Sequence, residues 1–325
     1  MTMKKEPGGE STRNVAVIVP AYNEETTLQE CRRALADVFS SMPDVSFSVL
    51  FVDDGSTDGT WEKLAGLNAA DERFRALRLS RNFGPHAAIA AGFDRARADA
   101  YVVISCDLQD PPEKIPEMIS RWKAGAELVF GRRRLASDGF PRSLMNRIFY
   151  SILNKHGVPP GTKFATESFY LVDEAAAKVF RKMTERNRMT FPLLAHAGFR
   201  QETIGYERRP RAAGETGWRP ARLRRAFLDA VVGYTRLPAR IMFAASLLTF
   251  AASVASAIPA FERMFSSRGF SEWLLVVSVL CFLFSLQFSF MGLTALYLGR
   301  IYSEAAGRPL FVVRETIGDV EPPEE

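Results

Sequence analysis

Three times before residue 113 an apolar, β-branched run is followed by acidic and amide side chains. Val15–Val19 leads into Pro20-Ala-Tyr-Asn-Glu-Glu25, Ser48–Phe51 into Val52-Asp-Asp-Gly-Ser56, and Tyr101–Ile104 is soon followed by Asp107-Leu-Gln-Asp-Pro-Pro112. Short continuous apolar runs read as strands buried on both faces. Polar groups at their carboxyl ends lie where open α/β sheets collect ligands. Carboxylates gathered there, with no His or Cys cluster beside them, suit a hard divalent cation and a phosphate-bearing ligand.

Helical patterns separate these strands. Leu28, Cys31, Leu35, Val38 and Phe39 recur at spacings of three and four, as one apolar face requires. Trp61, Leu64 and Leu67 make a second face, Ala87–Ala96 an Ala-rich helix, and Ile115, Ile119 and Trp122 a helix opened by Pro111 and Pro112. Phe74–Leu79, Leu128–Phe130, Phe169–Val172 and Glu202–Tyr206 complete the predicted strands. Strand–helix alternation of this kind predicts an α/β domain, Rossmann-like, with a mostly parallel sheet between helices. A further amphipathic helix is expected over Ser143–Lys155, and the Gly, Arg and Pro content of Arg208–Pro220 predicts a mobile loop.

The second half changes character. Ile241–Phe261 and Trp273–Leu298 carry no charge, and each meets the length of about 20 residues that crossing hydrocarbon requires. Arg236 and Arg240 precede the first stretch, and Arg300 and Arg308 follow the second, so the basic excess puts both outer ends in the cytoplasm. Before them, Leu223, Phe227, Ala230, Val231 and Tyr234 form an apolar stripe on a basic helix suited to a membrane interface. The Arg-rich stretch around Arg208–Arg225 faces anionic headgroups on this reading. Nucleic acid is excluded as a partner, because no basic stripe is interleaved with stacking aromatics. Met1–Asn14 has no apolar h-region, so no cleavable signal peptide is expected. The three cysteines show no disulfide or zinc spacing.

The expected organisation is therefore a disordered N-terminus over 1–14, a cytoplasmic catalytic domain over 15–210, and a loop with a basic juxtamembrane helix over 211–240. Transmembrane helices follow over 241–261 and 273–298, joined by an external loop at 262–272. A cytoplasmic segment, 299–325, closes the chain. This predicts a multi-pass protein of the inner (plasma) membrane. Within the catalytic domain, Asp107 is the candidate metal ligand, with Gln109 beside it on the same turn. A Mg2+ or Mn2+ ion held by a carboxylate neutralises a nucleotide diphosphate as it leaves.

The motif series Pro20-Ala-Tyr-Asn-Glu-Glu, Asp53-Asp-Gly-Ser-Thr-Asp-Gly-Thr, Ser80-Arg-Asn-Phe-Gly84, Asp107-Leu-Gln-Asp-Pro-Pro-Glu, Gly131-Arg-Arg, Gly214-Glu-Thr and Leu298-Gly-Arg-Ile-Tyr resembles one family in order and content. The chain resembles the family 2 inverting glycosyltransferases of GT-A fold, and within them the membrane-anchored polyprenyl-phosphate glycosyltransferases. The resemblance implies transfer of a sugar from a UDP- or GDP-linked donor to a polyprenyl phosphate such as undecaprenyl phosphate. It implies that Pro20, Tyr22, Glu24 and Asp53 line the nucleoside pocket with Asp54 assisting, that Arg81 lies near the donor phosphates, and that Arg208 and Arg211 belong to a loop closing on the donor. Arg133 and Arg142, with Arg132 as neighbour, match the arginines that meet the acceptor phosphate. Homo-oligomers through the spans are compatible with it, in a number the sequence does not fix.

Some positions depart from the family pattern. Ser105 stands where many relatives carry the first Asp of Asp-Ala-Asp-Leu-Gln, and Ser168 and Tyr170 stand in a segment commonly read Asp-Phe-Arg-Leu. Two other readings compete: a processive polysaccharide synthase, against which the absent Gln-x-x-Arg-Trp counts, and a catalytically silent membrane protein that binds a nucleotide sugar. A dinucleotide oxidoreductase is disfavoured, since no Gly-x-Gly-x-x-Gly follows the first strand.

Overall fold

The computed structural model describes residues 12–134, 168–183, 185, 190, 193–194, 197–207, 209 and 272–322. The expected helix over Ser143–Lys155, the basic helix after Ala221 and the stretch 241–261 lie outside the described residues.

Each buried run becomes a strand and each amphipathic pattern a helix. In chain order these are β1 (Arg13–Ala21), α1 (Leu28–Ser40), β2 (Val45–Asp53), α2 (Thr60–Ala70), β3 (Phe74–Leu79), α3 (Pro85–Arg95), β4 (Ala100–Val103), α4 (Ile115–Lys123) and β5 (Leu128–Arg134). A single 3-10 turn at Pro112–Lys114 introduces α4. Then come β6 (Tyr170–Asp173), α5 (Glu174–Lys182), β7 (Gln201–Glu207), α6 (Glu272–Ala305) and β8 (Val313–Ile317).

The eight strands form one sheet in the order β7-β5-β6-β4-β1-β2-β3-β8. Strands β1 to β4 run parallel, β5 pairs parallel with β7, and β6 and β8 are antiparallel to their neighbours. Period-2 alternation splits β1 between two cores. Val15, Val17 and Val19 pack with Leu28 and Leu35 of α1, Leu64 of α2 and Ile119 of α4, while Ala16 and Ile18 pack with Ala88 and Phe93 of α3 and Phe180 of α5. Each fully buried Val, Leu, Ile or Phe contributes about 1.5–3 kcal/mol, so the two-sided burial fixes the register of β1. At Gly92 a Cβ would lie 2.3 Å from Cγ2 of Ile18, so α3 reaches β1 only because that residue is glycine.

By their contacts the residues fall into two units. One comprises Met1–Arg147, Val158–Gly217 and Pro309–Glu325 and holds the whole sheet; the other comprises Ile148–Gly157 and Trp218–Arg308 and holds α6. Helix α6 has 34 residues and covers the predicted span Trp273–Leu298. Side chains at many of its positions fall outside the description, and among the described residues no helix is long and apolar enough to cross a membrane. The fold therefore establishes the α/β domain and leaves the two-helix hairpin as an expectation.

Candidate active site

Strand β1 lies between β2 and β4, so the chain reverses its direction of travel across the sheet at the β1/β4 boundary. Ligands of open α/β sheets bind outside the carboxyl ends of the strands at such a switch point. The carboxyl ends of β1, β2, β3, β4, β5 and β7 point to this edge, and the amino ends of the antiparallel β6 and β8 arrive there too. Sequence segments as far apart as Ala21 and Val313 thus share one rim.

The turns after β1 and β2 are stitched together. Asn23, in the left-handed region at φ 56°, donates its N–H to Ser56 Oγ at 2.9 Å, and its own Oδ1 accepts from Thr57 N–H at 2.9 Å. Glu24 N–H donates to Thr60 Oγ1 at 3.0 Å, and the Glu24 carboxylate accepts from Thr27 Oγ1 at 2.7 Å. Pro20, one residue before the end of β1, is half-buried, and Tyr22, just past that end, is 44% exposed, leaving its ring available to a planar group.

Asp53 and Asp54 are both buried, and three of their four oxygens accept from backbone N–H groups. Asp53 Oδ1 accepts Ser56 N–H at 2.9 Å, and its Oδ2 faces Arg78 Nε at 3.3 Å without hydrogen-bond geometry. Asp54 accepts from Phe83 N–H at 2.7 Å through one oxygen and from Gly84 N–H at 2.8 Å through the other. Burial pushes both carboxyls above their ordinary range, opposed by these hydrogen bonds. The two bonds to Asp54 shape the loop at Ser80–Gly84, in which Arg81 is exposed and stacks over Phe83 at 3.9 Å. Gly55 has φ 68°, and a Cβ there would sit 2.6 Å from the carbonyl carbon of Arg81, so glycine is what lets the two loops touch.

Asp107 is 5% exposed, and its Oδ1 accepts the N–H of Gln109 at 3.2 Å, with Leu108 between them at φ 54°. Among the described residues no three His, Cys, Asp or Glu side chains converge as a metal cage. One carboxylate with an amide on the same turn does fit a hard cation shared with a bound diphosphate, since Mg2+ commonly takes one or two carboxylates and fills its shell with phosphate oxygens and water. It does not fit an ion held by protein alone.

Arg133, at the end of β5, is held by a network the sequence reading did not find. Its Nη2 donates to Ser168 Oγ at 2.9 Å and its Nε to Tyr206 Oη at 3.3 Å. Both hydroxyls in turn donate to Asp110, Ser168 at 2.7 Å and Tyr206 through a short bond. Asp110 is 1% exposed and lies 3.9 Å from Arg133 Nη2. Burial and the Asp110 carboxylate push the Tyr206 phenol well above its ordinary value. Arg132, one residue before Arg133 on the strand, points to the opposite face and is exposed. Arg142, Arg208 and Arg211 lie outside the described residues. Nearby, Arg209 N–H donates to the Gln109 carbonyl at 3.0 Å, tying the end of β7 to the Asp107 turn.

Comparison with known proteins shows the family. The family model described as glycosyl transferase family 2 matches residues 16–180, from within β1 to beyond the end of β6. The uncharacterised glycosyltransferase YkcC of Bacillus subtilis (strain 168) is 31% identical over 306 residues, covering 93% of this chain and 94% of that one. A prophage bactoprenol glucosyl transferase homologue of Escherichia coli (strain K12) is 30% identical over 307 residues, covering 92% and 98%. Among solved structures, mannosyl-3-phosphoglycerate synthase from Rubrobacter xylanophilus overlaps 70% of this chain and 75% of its own at 17% identity and a TM-score of 0.49. With a family match that takes in half of the sequence and relatives that run nearly end to end, the chain belongs to glycosyl transferase family 2 and is a glycosyltransferase.

Proposed function

We propose that the protein transfers one sugar, with inversion, from a UDP- or GDP-linked donor to a polyprenyl phosphate, undecaprenyl phosphate being the expected acceptor. The observation that carries this reading is the joining of two predicted subsites. Asp107, assigned to the donor diphosphate, stands three residues before Asp110, and Asp110 is linked through Ser168 and Tyr206 to Arg133 on β5, assigned to the acceptor phosphate. A relative named bactoprenol glucosyl transferase, 29% identical over 309 residues, supports the lipid acceptor.

In this reading Tyr22 and Glu24 hold the nucleoside, Asp53 and Asp54 set the shape of its loops, and Arg81 approaches the phosphates. Asp107 with Gln109 would hold Mg2+ or Mn2+, which supplies charge neutralisation to the departing diphosphate. Arg133 orients an acceptor phosphate whose oxygen is already anionic near neutral pH, so no general base is required. That oxygen forms the new bond to the anomeric carbon as the bond to the diphosphate breaks, and the electron pair leaves with the nucleoside diphosphate. Alignment and charge stabilisation are the contributions asked of the protein.

A lipid acceptor requires the site to meet a bilayer. The uncharged stretches 241–261 and 273–298 and their basic flanks support a hairpin anchor in the plasma membrane, with the sheet on the cytoplasmic side. The exposed apolar side chains of α6, among them Phe282, Phe284 and Met291, suit hydrocarbon surroundings. The test is an assay of the detergent-solubilised full chain with undecaprenyl phosphate and a panel of nucleotide sugars. One sugar per lipid is expected; long chains would favour a processive synthase, and no turnover with any donor would overturn the reading.

A further inference from the structure

We infer that Ser168 and Tyr206 are positioning residues that carry the influence of the buried Asp110 to Arg133 at one remove, so that the arginine stays fixed and still presents its charge to a phosphate. The acceptor half of this inference rests on the reading of Arg133 given above.

The directions of the hydrogen bonds follow from the groups themselves. A guanidinium only donates, and an ionised carboxylate only accepts. Each hydroxyl between them must therefore accept from Arg133 and give its own proton to Asp110. Ser168 does so through Nη2 at 2.9 Å and on to Asp110 at 2.7 Å. Tyr206 does so through Nε at 3.3 Å and on to the other Asp110 oxygen. The arginine is thus gripped from two nitrogens, which fixes the plane of the guanidinium as well as its position.

The alternative would be a direct fork between Arg133 and Asp110. Bidentate pairing of that kind is strong, but it commits the donors and charge of the arginine to the carboxylate. Here the nearest separation is 3.9 Å, and 29% of the Arg133 side chain remains exposed at the rim. Asp110, wholly buried, has both oxygens satisfied by hydroxyls. The Tyr206 ring is itself held in place by packing. Tyr206 lies edge-on to Phe169, with ring centroids 5.7 Å apart, and a Cβ at Gly131 would come within 2.9 Å of both rings. Gly131 is therefore what allows the tyrosine to reach Asp110.

Two readouts test this. The first needs no substrate: the rate at which phenylglyoxal modifies Arg133 in the full chain, followed by peptide mass spectrometry, should rise several-fold in Ser168→Ala and in Tyr206→Phe. Ser168→Thr, which keeps the hydroxyl, should restore the slow rate. The second is kinetic: both variants should raise the KM for undecaprenyl phosphate on the order of tenfold while the donor KM moves less than about twofold. An unchanged modification rate overturns the positioning role. A faster rate with equal shifts in both KM values overturns the acceptor assignment alone. A wild-type chain that turns over no polyprenyl phosphate defeats the functional reading above, and the modification rates still decide whether the hydroxyls hold Arg133.

Discussion

Trp61 donates its indole N–H to Glu315 at 3.0 Å, across 254 positions of sequence. Glu315 lies on β8, opposite Arg78 in the antiparallel register with β3. The guanidinium of Arg78 covers the Trp61 ring at 5.7 Å, donates to the Ser56 carbonyl at 3.0 Å and faces Asp53. The C-terminal strand thereby braces, through two intermediate side chains, the turn expected to meet the donor nucleoside.

Glu315→Ala should remove one charge-assisted bond and cost about 1.5–3 kcal/mol at most, less to the extent that Glu315 is solvated. Amide hydrogen exchange across Ala76–Leu79 should quicken, and the donor KM should rise while the acceptor KM holds. Unaltered exchange in β3 would show that the pair does not brace the edge.

Asp107→Ala is expected to abolish transfer in the presence of Mg2+ or Mn2+ with the circular dichroism spectrum unchanged. Undiminished turnover would refute its assignment to the metal and the diphosphate.

Arg133→Ala should raise the need for lipid acceptor far more than the need for donor, because it takes away the group that orients the acceptor phosphate. Initial rates over a grid of both substrates decide this, and matching effects on the two would count against the role.

Asp53 holds its proton more tightly in the folded chain than an ordinary aspartate does, because burial disfavours the charged form. Such a group favours folding most where it is protonated and withdraws that contribution as pH rises through its raised folded value. Denaturation of wild type and Asp53→Asn between about pH 4 and pH 7 should show the balance shifting toward the variant as pH increases. A pH-independent gap would contradict this.

Much of the sheet was legible because its strands are buried on both faces and read as unbroken apolar runs. Val15–Val19 and Tyr101–Ile104 needed nothing else. Val313–Ile317 gave no such signal: an edge strand with exposed Arg314 and Glu315 has only one buried neighbour, and that neighbour, β3, lies far back in the chain. The acidic strand ends were equally legible, but not what their oxygens do. Asp-Asp-Gly announces a turn; nothing in it says that Asp54 clasps the N–H groups of Phe83 and Gly84. The grip on Arg133 was hidden for a related reason, since Asp110, Ser168 and Tyr206 come from three separate strand ends. Likewise no spacing links Cys31 to Cys106, yet the neighbouring Cys31 thiol, together with burial, raises the Cys106 thiol well above its ordinary value.

The position of β8 after α6 also bears on synthesis. A ribosome must finish the long helix at 272–305 before the strand that caps β3 can emerge, so every nascent chain passes through a period with the rim of its sheet unpaired. Open β rims template association between copies. Stalled or clipped products lacking residues 313–317 should therefore aggregate even where every group that touches substrate is already in place.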